Sequence, residues 1–361
     1  MDDVIILFGG TSSERRVSVA SAQNVAALLP TAHLWFWAPA GTVHLVERRR
    51  LASFERPFET DFDPASPAAY PSVTAALDAA AASQGASAAN ASASPAGPSI
   101  FFLALHGVGG EDGLLQGWLE ERRLPFTGSG AAASRRAFDK TVAKTLVKAA
   151  GVRTAEAQVV SGARIEEASR AITELASRHR RLVVKPVADG SSAGLCFIDC
   201  SEEASLAAAL AHVRAAPAVD FLVEAFISGT ELTVVVIEAP TGLRALPCSE
   251  IRVERGRAFD YAGKYLGHGT HEITPAEVPP EVHAKAGETA MTAHRALGCR
   301  GYSRTDIIMT ALGPVYLETN NLPGLTKASF VPQQLAAAGI SMRDFLLQQI
   351  ALAKTGPQEP R

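Results

Sequence analysis

Acidic and amide side chains near the end of the sequence have the types and spacing of a metal site. Asp306 lies in a strand-like run, and Glu318 and Asn320 stand two residues apart in another, so these two side chains leave one face of a strand. Two carboxylates and an amide suit Mg²⁺, which completes its octahedron with phosphate oxygens and water. Arg304, two residues before Asp306, could stabilise negative charge beside such a metal. The alternatives stay open, because acidic residues at strand ends are usually solvated or paired, and Arg304 could simply pair with Asp306.

Two lysines are candidates for binding phosphate. Lys185 ends a short apolar run, and a lysine at the end of a buried strand needs an anionic partner. The Gly- and Ser-rich segment 190–194 that follows could be a phosphate clamp and lid, or an ordinary hairpin beside a lysine that reaches solvent. Lys140 begins a predicted helix with Asp139 as its cap, and it could equally lie on a solvated helix face.

The usual nucleotide-binding signatures do not occur. The pair 263–264 comes nearest to a Walker loop, but Ala258 stands where its first glycine belongs and Tyr265 where its hydroxyl belongs. A dinucleotide fingerprint fails at Asp112, which replaces the last glycine. The histidines at 268 and 271 lack the helical spacing of a zinc protease and are predicted to lie in a loop. A nucleotide would therefore need a different kind of site.

The elements that must position these residues begin with an α/β unit. An apolar run at 4–8, a glycine turn at 9–13 and a helical pattern at 17–29 predict strand, turn and helix, and a second strand-like run follows at 33–38. Residues 75–98 are almost all Ala, Ser, Gly and Asn, with nothing periodic to bury. We expect a loosely packed insertion there, part helix and part mobile loop.

The rest of the chain predicts further mixed structure. A change of character at 128–133 suggests a domain boundary. The predicted elements after residue 99 are strands at 100–105, 182–185, 194–198, 221–227, 231–238, 304–310 and 314–319, and helices at 114–122, 138–150, 165–180 and 281–297, with two closing helices.

Composition excludes several classes of protein. Of the 361 residues, 47% are hydrophobic and 20% charged, and the net charge is -3, so neither disorder nor a broad basic surface for nucleic acid is expected. The basic runs 48–50 and 178–181 are predicted to be solvated. The apolar runs fall far short of the roughly 18 residues that span a bilayer. The acidic start lacks the pattern of a secretory signal, and the four cysteines are expected to be free thiols, so we predict a cytoplasmic protein.

The sequence resembles the D-alanine:D-alanine ligase family of the ATP-grasp superfamily, over nearly the whole chain outside about 45–99. The matching segments are LFGGTSSERRVS (7–18), LALHGVGGEDGLLQGWLE (103–120), PFTGSGAAAS (125–134), FDKTVAK (138–144), VVKPVADGSSAG (183–194), VEAFISGTELTV (223–234), FDYAGKYL (259–266), LGCRGYSRTDI (297–307) and LETNNLPGLTKASFVP (317–332). The resemblance implies a mixed α/β (α+β) ATP-grasp fold. It implies three consecutive units, an N-terminal parallel α/β domain at 1–130 and two ATP-grasp subdomains at 131–228 and 229–361, with ATP between two antiparallel sheets.

The resemblance also implies the reaction and its small-molecule participants. The carboxylate of a first D-alanine attacks the γ-phosphate of ATP to give an acyl phosphate, and the amine of a second D-alanine displaces phosphate, which supplies a peptidoglycan precursor. ATP, D-alanine and two Mg²⁺ ions, for which Mn²⁺ can substitute, are the implied ligands. A homodimer is the implied assembly, with no nucleic acid and no membrane as partner.

Matching positions carry roles from the family to this sequence. In the nucleotide and metal site, Lys140 and Lys185 would contact phosphates, Glu224 and the backbone at Ile227 the adenine, Glu231 the ribose, and Asp306, Glu318 and Asn320 the metal ions. In the substrate site, Glu14, Ser191, Tyr265 and His106 would serve the first D-alanine, Arg304 and the backbone N–H of Gly324 the oxyanion, and Lys264, Ser329 and the backbone of Phe330 the second carboxylate.

Some positions depart from the family pattern. Arg16 stands where glutamate is common, Phe259 where tyrosine is usual, and Ala193 replaces the usual valine. Leu322 occupies a position that is normally small or polar. Because Phe259 and Leu322 are predicted to flank the substrates, a related ligase that joins other small amino acids, such as D-alanine and D-serine or a secondary-metabolite dipeptide, stays an alternative. Tyr265 is retained, and relatives that make D-alanyl-D-lactate typically lose it, so the resemblance predicts an amine nucleophile.

Overall fold

The structure, a computed structural model, describes residues 3–89, 99–188, 194–253 and 270–355. The mixed α/β class is confirmed, since helices and strands alternate along the described chain. The strands are β1 Val4–Gly9, β2 His33–Trp37, β3 Val43–Leu45, β4 Ile100–Ala104, β5 Ala157–Ser161, β6 Arg181–Pro186, β7 Cys196–Asp199, β8 Asp220–Ala225, β9 Thr230–Ala239, β10 Gly242–Ala245, β11 Ser249–Val253, β12 Thr270–Ile273, β13 Tyr302–Thr310 and β14 Gly313–Asn320. The helices are α1 Arg15–Leu28, α2 Arg48–Ala52, α3 Val73–Ala89, α4 Leu114–Glu121, α5 Ala131–Phe138, α6 Lys140–Ala149, α7 Ile165–Ala176, α8 Glu203–Arg214, α9 Pro280–Leu297, α10 Phe330–Ala337 and α11 Met342–Ala353.

The first sheet has the order β3-β2-β1-β4, with β1 parallel to both β2 and β4 and β3 antiparallel at the edge. All six residues of β1 and all five of β4 are buried, as continuous apolar runs inside a parallel sheet require. The predicted strand, glycine turn and helix at the N-terminus are confirmed. The carboxyl ends of β1 and β4 open together at one edge, where α/β sheets usually bind ligands.

Two antiparallel sheets follow. The second sheet has the order β5-β8-β6-β7 and packs its apolar face against α7 and α8. The third sheet has the order β12-β11-β9-β13-β14, with β10 paired to β9, and α9 packs on it. The two antiparallel sheets expected from the resemblance are therefore present in the described residues, while the predicted domain bounds stay a prediction.

The segment predicted to be a loose insertion is in part well packed. α3 buries Val73, Ala76, Leu77 and Ala80 in the main core, an i, i+3, i+4, i+7 stripe. The prediction was wrong for this part, because alanine carries the stripe and its spacing is easily read as low complexity. Residues 90–98 lie outside the described residues.

The basic run 48–50 is also more than a solvated face. The guanidinium of Arg48 donates hydrogen bonds to the carbonyls of Ala26, Leu29 and Ala32, at the C-terminal end of α1. The last carbonyls of a helix have no partner within the helix, so this side chain satisfies them. None of the described helices is long and apolar enough to cross a membrane.

Candidate active site

The predicted metal and charge-stabilising residues meet on one face of the β13–β14 hairpin. In the antiparallel register, Asp306 lies opposite Glu318 and Arg304 lies opposite Asn320. Directly opposed residues in a strand pair have their Cβ atoms about 5 Å apart, and residues two apart share a face. A register shift directly after Asp306 ends this regular four-residue patch.

Both carboxylates of this patch already face cations. Arg304 donates from Nε to Asp306 Oδ1 at 3.0 Å and from Nη2 to Oδ2 at 2.9 Å, so the ion pair left open by the sequence is present. The buried hydroxyl of Thr233 also donates to Asp306 Oδ1, at 2.6 Å. Lys140 Nζ lies 3.8 Å from Glu318 Oε2. Each carboxylate of the patch therefore lies next to a positively charged side chain.

The donor chemistry of the patch fits Mg²⁺. Two carboxylates and the Asn320 amide are oxygen ligands of the kind that a hard cation takes, and Asn320 Oδ1 now accepts from the backbone N–H of Leu322 at 2.8 Å. Within the described ranges, no group of three His, Cys, Asp or Glu side chains is placed to hold a metal ion.

A buried carboxylate holds two lysines nearby. Glu224 is only 3% exposed, and its Oε1 lies 2.7 Å from Lys185 Nζ while its Oε2 lies 2.9 Å from Lys144 Nζ. Burial alone would raise the pKa of Glu224, but the charges of Lys185 and Lys144 outweigh it and lower that pKa. For Lys185, burial is likewise outweighed by the charges of Glu224 and Glu318, and its pKa is raised. Lys185 thus has the anionic partner that its place in the sequence requires.

Lys144 is a site residue that sequence reasoning missed. Burial lowers the pKa of Lys144, against the charge of Glu224. It lies four residues after Lys140 on the same face of α6, whose start is capped by the Asp139 side chain as predicted. A second lysine at helical spacing was the available signal, and lysine is rarely buried unless it is paired.

The remaining nucleotide positions lie where the second sheet passes into the third. Ile227 is half-buried in the link between β8 and β9, and Glu231 lies near the start of β9. Glu231 pairs in register with Ile308 of β13 on one side and Ile251 of β11 on the other. Ile227 thus lies in the link between the sheet that carries Lys185 and the sheet that carries the carboxylate patch, and Glu231 lies in the latter sheet.

Glu14 and His106 lie at the carboxyl edge of the first sheet. Glu14 is buried, and its backbone N–H donates to Ser12 Oγ at 3.1 Å. Gly107 has φ of +70°, and a Cβ there would lie 2.8 Å from Glu14 Oε2, so this position must stay glycine for the carboxylate to fit. His106 Nδ1 donates to the Leu322 carbonyl at 3.1 Å. Its Nε2 lies 3.0 Å from Ser21 Oγ.

An open cleft lies beside the carboxylate patch. Its walls come from one N-terminal segment, from β12 and β13, and from the loop before α10. They are formed by Phe58, Glu272, Arg304, Pro323, Gly324, Thr326, Ala328, Ser329, Phe330 and Val331. Four predicted site residues thus share one cleft, while Phe58 and Glu272 were missed, since both come from segments with no recognisable motif.

Two details of the cleft bear on the predictions. A Cβ at Gly324 would lie 2.7 Å from Ser329 Oγ, so glycine leaves the Gly324 backbone N–H accessible beside that hydroxyl. Leu322 was expected to flank the substrates, but its side chain is 2% exposed in the main core. Its carbonyl accepts from His106 Nδ1, so Leu322 contacts the first-substrate residue through its backbone, and its effect on substrate choice stays a prediction.

The segment 321–326, here called the bridging loop, ties the cleft to the N-terminal half of the chain. Asn321 Nδ2 donates to the carbonyls of Glu111 at 2.9 Å and Ser134 at 3.3 Å. Asn24 Nδ2 donates to the Leu325 carbonyl at 2.8 Å. The Leu325 N–H donates to Ser21 Oγ at 3.2 Å.

Several predicted positions lie outside the described residues. These are Ser191, Lys264 and Tyr265, together with the departures at Ala193 and Phe259. Their predicted roles stay predictions. The carboxylate patch, the lysine pair and the cleft all lie within the described residues.

Comparisons with known proteins identify relatives over nearly the whole chain. Family models described as D-ala D-ala ligase N-terminus and C-terminus match residues 3–129 and 146–351. A D-alanine–D-alanine ligase from Leptospira interrogans is 33% identical over 359 residues, covering 95% of this chain and 96% of the relative. Another from Acidiphilium cryptum is 37% identical over 345 residues, covering 94% of each.

Solved structures are similar over the same length. The VanG D-Ala:D-Ser ligase from Enterococcus faecalis has a TM-score of 0.76 and 26% identity, covering 98% of this chain and 99% of that one. The D-alanine–D-alanine ligase from Bacillus anthracis has a TM-score of 0.70 and 25% identity, covering 98% of each. The similarity therefore extends from the first sheet to the closing helices.

Proposed function

The chain belongs to the D-alanine–D-alanine ligase family, and from that premise we propose that it joins two D-alanines into D-alanyl-D-alanine, with conversion of ATP to ADP and phosphate. The product would serve peptidoglycan precursor synthesis. The observation that supports this most is the place of Arg304. Its guanidinium pairs with Asp306 in the carboxylate patch and also lines the cleft, so phosphate chemistry and acyl chemistry would meet at one side chain.

The first step places negative charge near the lysines. A carboxylate oxygen of the first D-alanine attacks the γ-phosphorus of ATP, and the bond from that phosphorus to the β–γ bridging oxygen breaks, which leaves ADP and D-alanyl phosphate. Lys185 and Lys140 would bind the phosphates, and Glu14 would hold the ammonium of the first D-alanine. Fixed positive charges aimed at developing anionic oxygens stabilise such a transition state.

The second step would take place in the cleft. The amine of the second D-alanine attacks the acyl carbon, loses a proton and expels phosphate. Arg304 and the Gly324 N–H would bind the oxyanion, and Ser329, Lys264 and the Phe330 backbone would hold the second carboxylate. Closing the site against water protects the acyl phosphate from hydrolysis.

Mg²⁺ would be held by Asp306, Glu318 and Asn320, as two ions, with Mn²⁺ as a substitute. When bound, the metal would neutralise phosphate charge and orient the nucleotide. Thr233 would keep Asp306 in place through its 2.6 Å hydrogen bond. Arg304 and Lys140, which now neutralise the two carboxylates, would then be available to the anionic substrate groups.

Three broader properties belong to the same proposal. The chain would divide at about residues 130 and 228 into an N-terminal substrate domain and two ATP-grasp subdomains. It would act in the cytoplasm, where ATP and wall precursors are made, and as a homodimer. Sedimentation of the purified protein at several concentrations tests the dimer, and a concentration-independent monomer mass contradicts it.

The first experiment measures ATP-dependent phosphate release with Mg²⁺ and single D- and L-amino acids, with product mass determined in the same tubes. D-alanine alone is expected to drive turnover and give the mass of its dipeptide. D-lactate as second substrate is expected to be inert, because Tyr265 is retained. Inert D-alanine beside an active different amino acid would favour the alternative, a related ligase that joins other small amino acids.

Asp306→Asn tests the carboxylate patch. We expect turnover to fall by roughly a hundredfold or more, because the variant removes a charge placed to hold the metal and Arg304. Asp220→Asn, at an exposed position of β8, is the matched control and should retain full activity. Full activity of Asp306→Asn would mean that the patch has no part in the reaction.

A further inference from the structure

We propose that Phe58 determines specificity in the cleft by limiting the size of the second amino acid. This inference rests on the proposed function and adds the substrate class of the second site, namely small D-amino acids such as D-alanine and D-serine. Phe58 is half-buried and lines the same cleft as Gly324, Ser329 and Arg304. The other lining residues all lie between 272 and 331, so Phe58 is the contribution of the N-terminal part of the described chain.

The ring of Phe58 is carried by a segment that is fixed to the core nearby. Phe62, four residues on, is buried and packs edge-on against Phe36 with ring centroids 5.1 Å apart. It also packs edge-on against Phe54, at 5.3 Å. Phe54 and Phe62 therefore hold both ends of the turn that presents Phe58, and aromatic packing of this kind is stable beyond simple burial.

An arginine clamp holds the same segment to α1. Asp61 accepts from Arg15 at 3.1 Å (Nε) and 2.9 Å (Nη2), and from Arg16 Nε at 3.0 Å. The hydrogen bonds from Arg15 and Arg16 lower the pKa of Asp61, so the clamp is charged at neutral pH. α1 begins directly after Glu14, which ties the position of Phe58 to the first-substrate site.

The clamp depends on a residue at which this chain departs from its family. Where the family pattern commonly has glutamate, Arg16 donates to Asp61. A glutamate at this position would place a like charge against Asp61 and remove one of its partners. The two hydrogen bonds from Arg15 to the same carboxylate would remain, so a glutamate at 16 would weaken the clamp without abolishing it.

An aromatic wall in a small cleft acts on the substrate side chain by size. A methyl or hydroxymethyl group adds little volume, whereas each further methylene must displace the ring or be left without space. A single methylene in such a pocket changes kcat/KM by roughly 10- to 200-fold. The cleft should therefore accept D-alanine and D-serine and reject longer, apolar D-amino acids.

The test compares D-alanine with D-norvaline as the second substrate, measured as kcat/KM by phosphate release and confirmed by product mass. Phe58→Ala should raise the ratio of D-norvaline to D-alanine by roughly tenfold or more, and Phe58→Leu by less. Glu55→Ala, an exposed position on the same segment, is the matched control and should keep the wild-type ratio. A folded Phe58→Ala that retains D-alanine turnover with the wild-type ratio overturns the proposal.

A second variant separates selectivity from loss of folding. Arg16→Glu should raise KM for the second substrate and relax the ratio while kcat stays near its wild-type value, because the wall moves but the reacting groups do not. High salt should reproduce part of this effect in the wild-type protein, since the clamp is partly exposed and therefore screened. An unchanged ratio of D-norvaline to D-alanine in a folded Arg16→Glu counts against the clamp. A wild-type protein without turnover on any D-amino acid overturns the proposed function itself.

Discussion

The carboxylate of Glu224 shows how a single side chain can serve a site in two states. It holds Lys185 and Lys144 at hydrogen-bonding distance in a place with almost no solvent. If Lys185 turns to a phosphate, Lys144 remains as the partner of Glu224. A buried charge left without a partner costs several kcal/mol, and Lys144 avoids this cost when Lys185 moves away from Glu224.

Lys144→Met should therefore weaken nucleotide binding in a folded protein. We expect at least tenfold lower affinity for a non-hydrolysable ATP analogue, because Lys185 must then stay with Glu224. The free energy of unfolding should change little, since Glu224 keeps Lys185 as its partner. Calorimetric titration and urea unfolding measure the two effects. Lys148→Met, exposed on the same helix, should change neither, and an unaltered affinity in Lys144→Met would contradict this role.

Residue-level prediction succeeded where spacing along one strand decides the outcome. Glu318 and Asn320 were expected on one face because strand residues two apart share a face, and the hairpin also sets Asp306 opposite Glu318. Phe58 and Lys144 could not be found in this way. Their importance comes from contacts between segments far apart in sequence, about which local patterns carry no information.

At the scale of elements, α3 is the helix whose packing was predicted least well from composition. Leu77 is 0% exposed and packs in the main core among alanines. Leu77→Ala should cost about 3–5 kcal/mol of unfolding free energy, through lost burial and the cavity left behind. Urea unfolding measures this, with Ala79→Ser on the exposed face as a control expected to change stability by less than about 0.5 kcal/mol. A small effect at Leu77 would restore the prediction of a loose insertion.

A buried histidine in α9 makes stability depend on pH. Burial lowers the pKa of His294 from 6.5 to about 4, and its Nδ1 lies 2.7 Å from Ser303 Oγ in β13. Between these two pKa values the unfolded chain binds a proton that the folded chain does not, so stability is complete above about pH 6.5 and falls as the pH drops towards 4.

His294→Gln should remove this pH dependence. The wild-type protein is expected to lose about 2 kcal/mol of unfolding free energy between pH 7.5 and 5 from this group, and the variant should lack that loss. Urea unfolding at the two pH values measures the difference. Ser303→Ala keeps the buried histidine ring and should therefore keep the slope of stability against pH. An equal slope in His294→Gln and the wild type would contradict the assignment of this pH dependence to His294.

Element-level prediction was best for long, strongly patterned segments. β1, α1, β13 and β14 were expected close to their observed bounds, because each combines a clear hydrophobic period with a glycine or a cap. β5 and β10 were missed, since most of their residues are only half-buried and show little alternation. The helix cap by Arg48 was missed because a capping partner 16 to 22 residues away leaves no local signal.

At the scale of the whole molecule, the bridging loop should couple the N-terminal half to the third sheet. Asn321 is buried, and Asn321→Ala leaves the Glu111 and Ser134 carbonyls without their donor. Each lost buried hydrogen bond costs about 1–3 kcal/mol. Differential scanning calorimetry should show the single unfolding transition broaden or split. Gln158→Ala removes a surface hydrogen bond to Glu174 and should leave the unfolding transition unchanged. An unchanged transition in Asn321→Ala would mean that other contacts couple the two halves.

The bonds from Asn24 and Ser21 to Leu325 join residues 301 and 304 positions apart. During synthesis the first sheet leaves the ribosome long before its partner loop has been translated, and distant contacts of this kind form late in folding. The N-terminal segment therefore lacks this partner loop, and the edge of its sheet stays uncovered, until nearly the entire chain has emerged. Substrates can stabilise the newly synthesised protein only after that moment, so protection of the N-terminal segment depends on chaperones and on the speed of translation.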